Sequence, residues 1–222
     1  MKAAVWRRAV TASVLPGLPG DWLATGYALV QEPIGPLARA IVRSPSSYGT
    51  GYYLYVTVQP LFVEMETWQA NMPVQLGHAA GRGRWPGFDR LDQSAGAFDA
   101  LAELIREEAL PYLAEHGTPA GFRELCRAEA AAMPGFGRVY LQRQQAATEV
   151  LLGDHAAAAA TLAEIGATAA AVPGAPPWLA ELAAEAGEFR RMLADDPGSV
   201  EDRLAATGTH MRQRLGLPGG AA

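Results

Sequence analysis

The chain has 222 residues, half of them hydrophobic, with 18% charged side chains and five Trp, seven Tyr and six Phe. That is enough to bury a core without disulfides, in one large domain or two small ones, and too aromatic for a globally disordered chain. A formal net charge of −5 argues against a generally basic nucleic-acid binder, and the single cysteine, Cys126, excludes an intramolecular disulfide and any multi-cysteine metal site.

At the N-terminus Arg7 and Arg8 interrupt the apolar run that a secretory leader needs, while Trp6, Val10 and Val14 recur at helical spacing. A short amphipathic helix is expected there. No stretch approaches the ~18 apolar residues of a membrane helix, so the expectation is a cytoplasmic bacterial protein with no membrane partner. The preponderance of Arg over Lys runs through the whole Ala- and Gly-rich chain and reads as codon bias. The halves differ in charge: residues 1–90 hold eight basic and five acidic side chains, residues 91–222 ten and eighteen.

After the breaker cluster Leu15 to Gly20, Trp22 to Gln31 reads as one strand bounded by Pro33. Residues 37–43 suit either a strand or a helical turn. Tyr52 to Val63 is dense in aromatic and β-branched residues and is the clearest strand, with Pro60 marking an edge or a bulge. Residues 72–77 suggest a further short strand, and the spacing favours an antiparallel sheet.

From Ser94 the period becomes 3.6, with Phe98, Leu101, Ile105, Ala109 and Tyr112 on one face and Gly117 as the stop. Thr118-Pro119 opens a second helix that ends near Met133-Pro134-Gly135. Arg138 to Leu152 carries Tyr140, Ala147 and Leu151 on one stripe, and Gly153-Asp154 ends it and caps His155 to Val172. Residues 138–172 thus resemble a single tetratricopeptide-type hairpin, with no second copy at a period near 34. Trp178 to Leu193 and Val200 to Leu215 are the last helices, with Asp195-Asp196-Pro197-Gly198 between them and residues 218–222 as a disordered tail. The fold class is therefore α+β. A small antiparallel sheet with an N-terminal helix (1–90) is followed by an antiparallel helical bundle (91–217) packed on it and sharing one core.

The four histidines, His78, His116, His155 and His210, form no metal-binding pair in sequence, and neither a metal nor a cofactor is expected. Cys126 reads as a half-buried packing residue without a local histidine to activate it. Were the strand to run past Val63, Glu64 and Glu66 would share a face, where paired carboxylates divide acid and base roles or simply solvate a sheet edge. Loop 78–86 combines glycines at 81 and 83 with Arg82, Arg84 and Trp85, a set suited to an anion or acidic partner, although it lacks the P-loop pattern. No nucleophile elbow, dinucleotide fingerprint or calcium loop is present.

Residues 36–63, with the stretch LARAIVRSPSSYGTGYYLYVTVQPLFV, resemble a family of uncharacterised bacterial proteins of the DUF4304 type. The resemblance implies an α+β N-terminal unit and a binding role, and carries no catalytic residues. The leading expectation is a non-catalytic protein-interaction module, immunity-like or accessory, with Tyr53, Tyr55 and Trp68 as partner-binding aromatics. The alternative is a small enzyme or anionic-ligand binder that uses Arg82, Arg84 and Trp85 with Glu64 and Glu66. Nucleic acid ranks behind both and would require Arg7, Arg8, Arg39, Arg43, Arg82 and Arg84 to be contiguous.

Overall fold

The computed structural model describes residues 2–45, 51–68, 74–77 and 96–219. It is an α+β protein with a five-stranded sheet near the N-terminus and helices through most of the remainder. Contacts divide the chain into two compact units, one built from Met1–Gln59 and Met65–Gly117, the other from Pro60–Glu64 and Thr118–Gly219. The switch to helical periodicity near residue 94 is therefore not where the units part: the helices up to Gly117 belong with the sheet.

In the sheet unit, α1 (Ala3–Ser13) buries Trp6, Ala9 and Val10, the face that the apolar spacing selects. The sheet runs in chain order through β1 (Trp22–Ala24), β2 (Ala28–Gln31), β3 (Leu37–Pro45), β4 (Tyr52–Pro60) and β5 (Val74–Gln75). Antiparallel registers place Leu23 opposite Val30, Leu29 opposite Ile41 and Tyr55 opposite Gln75. The expected single strand over 22–31 is in fact a hairpin. Thr25 Oγ1 accepts from the amides of Tyr27 (3.2 Å) and Ala28 (2.9 Å), closing a turn around Gly26. Residues 37–43 resolve as strand, within β3. Tyr52–Val63 is shorter than expected, because β4 ends at Pro60, which has no N–H to extend the ladder.

Helix α2 (Ala97–Leu104) passes through a π-helical turn, Ile105–Ala109, into α3 (Leu110–His116). Pro111 cannot donate to the preceding turn, which relaxes the ladder to the wider spacing. The buried face then follows Leu101, Ile105, Ala109 and Leu113, so Leu113 rather than the expected Tyr112 continues it. Gly117 ends α3 where a side chain has no room: a Cβ there would fall on the Leu113 carbonyl oxygen and 2.5 Å from Arg39 Cδ.

The helical unit contains α4 (Pro119–Ala132), a 3-10 turn over Gly135–Arg138, α5 (Val139–Leu151), α6 (His155–Ala170), α7 (Pro177–Asp195) and α8 (Pro197–Arg214). Thr118, Asp154 and Asp196 cap α4, α6 and α8 by accepting from the amides of Gly121, Ala157 and Gly198. Asp195 to Gly198 is accordingly no loop. Asp196 alone separates α7 from α8, and Pro197 sits in the first turn of the latter. At the far end of α8, Leu217 N–H reaches Arg212 O and Gly216 N–H reaches Gln213 O, with Gly216 at φ +67, so Leu217 folds back and is buried. Of the expected tail, residues 220–222 lie outside the described residues.

Side-chain pairs fix the directions of these helices. Arg138 meets Thr168, Gln142 meets Glu164 and Gln145 meets Thr161, numbers that rise on α5 as they fall on α6, so the two are antiparallel. The first residue of α6, His155, lies 3.3 Å from Glu201 in the first turns of α8, so α6 and α8 start at the same end. Val139, Ala146, Leu162, Ile165, Leu179, Leu182 and Ala186 form one buried cluster between α5, α6 and α7. Helix α5 is packed on two sides, by α4 and α6, and consequently buries Gln142, Gln144, Thr148 and Glu149 as well as its apolar residues. This breaks the expected Tyr140–Ala147–Leu151 stripe at one end: Val139, Leu141, Ala146, Ala147 and Val150 are buried, Leu151 is half-buried, and Tyr140 is left outside. Among the described residues no helix is long and apolar enough to cross a membrane.

Candidate functional site

Two features of the helical unit present chemistry. The first is an aromatic patch where the 3-10 turn enters α5. Phe136 is 38% exposed and Tyr140 46%. Both rings meet Trp178, in the first turn of α7: Tyr140 stacks on it at 5.0 Å with a 20° interplanar angle, and Phe136 is tilted against it at 5.6 Å. Trp178 is half-buried and rests on the Val139–Leu179 cluster, so one side of the indole is anchored while its neighbours face water. Met133, 36% exposed, precedes the same turn. Contiguous exposed aromatics on an anchored indole have the composition of a binding hot spot: large contact area, few side-chain rotors and a polar handle on each Tyr or Trp.

The second feature is a cavity of ≈ 160 Å³ in the bundle. Its lining mixes apolar side chains, Phe62, Leu162, Leu182, Ala186, Phe189 and Leu204 among them, with Thr207 and the charged side chains of Glu64, Arg143, Glu185 and Arg203. Arg143 pairs with Glu185 at 3.2 Å. Arg203 lies 5.9 Å over the Phe189 ring and 3.6 Å from Glu188, and Glu64 lies 3.7 Å from Arg214.

Of the residues singled out in the sequence, Glu64 lines this cavity. Glu66 does not, and the shared strand face expected for the two carboxylates is absent because the chain bends after Pro60. Glu64 belongs with the helical unit and Glu66 with the sheet unit. Arg82, Arg84 and Trp85 lie outside the described residues. Tyr53 and Tyr55, two apart on one face of β4, are half-buried with ring centroids 6.3 Å apart, and Trp68 is half-buried beyond the strand.

Two of the arginines considered for a basic surface are engaged elsewhere. The Arg43 guanidinium lies 5.7–5.9 Å from the rings of Trp6, Tyr27 and Tyr52, and burial holds its pKa below the ordinary value. Arg39 Nη2 donates to the Pro33 carbonyl at 3.3 Å. Cys126 is fully rather than half buried, and burial, then the charge of Glu149, pushes its thiol up to about 12. Among the described residues no three His, Cys, Asp or Glu side chains gather as a metal site.

The aromatic patch escaped sequence reading because Phe136 and Trp178 sit directly behind breakers, Pro134-Gly135 and Pro176-Pro177, where the pattern marks only helix starts. Three aromatics within one turn of two such starts was the available signal. No family model, curated protein or solved structure matches the chain, so the DUF4304-type resemblance has residues 36–63 alone behind it.

Proposed function

We propose that this is a non-catalytic protein-interaction module of a cytoplasmic bacterial protein, immunity-like or accessory, and that Phe136, Tyr140 and Trp178 anchor its partner. The observation that carries this reading is the mutual contact of the three rings at the surface of the helical unit, with Tyr140 stacked on an indole that the core already holds in place. A pre-ordered aromatic cluster costs little entropy on binding, and truncation of such an anchor weakens association by about 2 kcal/mol or more. Tyr53 and Tyr55 on β4 offer a smaller aromatic pair of the same kind in the sheet unit. The test is recovery of protein partners from the native host by the wild-type chain and by a Phe136→Ser/Tyr140→Ser variant with an unchanged thermal midpoint. A partner lost with the variant supports the reading; a partner retained at full yield by the variant overturns it.

A further inference from the structure

We draw no further inference here: the strongest candidate, the loop Pro60–Glu64 that follows β4, belongs to the helical unit and buries Leu61, Phe62 and Val63, is packing that the fold itself accounts for, and nothing in the structure shows that it leaves its seat or what would take its place there.

Discussion

Thr161→Val tests the polar seam between α5 and α6. Glu149 is 1% exposed, and its carboxylate accepts from Thr161 Oγ1 at 2.8 Å and from Gln145 Nε2 at 2.8 Å. Valine has the shape of threonine without the hydroxyl, and the two have similar helix propensity, so the substitution leaves packing intact and removes one donor from a buried carboxylate. A hydrogen bond to a charged group contributes about 2 kcal/mol, and Gln145 also loses its 3.3 Å contact to Oγ1. For a chain of this length that corresponds to a fall of roughly 4–8 °C in the melting midpoint, read by circular dichroism, with a matching loss in urea denaturation at unchanged slope. The partner substitution sharpens the test. Once Glu149→Leu has removed the acceptor, adding Thr161→Val should cost far less than it does in the wild type, giving a coupling of about 1–2 kcal/mol. Additive effects, or a Thr161→Val variant as stable as the wild type, would refute the direct Thr161–Glu149 bond.

Gly117→Ala should destabilise the sheet unit by about 1–3 kcal/mol, because Arg39 is able to swing away from the new methyl but the Leu113 carbonyl oxygen is backbone; a midpoint equal to the wild type would contradict that geometry. Cys126 should resist alkylation at pH 8 in the folded chain and react only in denaturant, since its buried thiol ionises near pH 12. The same shift has a stability consequence. The unfolded thiol loses its proton from its ordinary value of 9.0 upward and the folded one only near 12, so stability is full below pH 9 and declines as pH rises through that window, by at most about 1.4 kcal/mol per pH unit. Cys126→Ala should lack that part of the decline, and identical slopes for the two proteins would contradict it.

Patterns that depend on local chemistry were legible in the sequence. Thr118, Gly153-Asp154 and the aromatic and β-branched run of β4 each announce their element, because caps and strand formers act within a few residues. The hairpin at Thr25 was not legible. Its turn has none of the usual dipeptides and is closed by the Thr25 hydroxyl together with the Thr25 N–H bond to the Ala28 carbonyl. The π-helical turn was hidden by an apolar spacing that fits 3.6 residues per turn as far as Ala109; Pro111 decides that Leu113 and not Tyr112 continues inward. For the candidate sites the limit was tertiary. Whether an aromatic on α5 faces core or water depends on which sides α4 and α6 cover, and that moved Tyr140 outward while it drew Glu149 in. Glu64 was singled out beside Glu66, yet its companions in the cavity come from α5, α6, α7 and α8, and no sequence period links residues so far apart.

The proposed role of the Phe136–Tyr140–Trp178 patch is to anchor the partner. Hydrogen–deuterium exchange of the chain with and without a co-purified partner measures it directly. Amides in residues 133–140 and 177–182 are expected to become protected on binding, in the turn and helix starts that carry the three rings. Protection confined to other segments, with these two exchanging at their free rates, would contradict it.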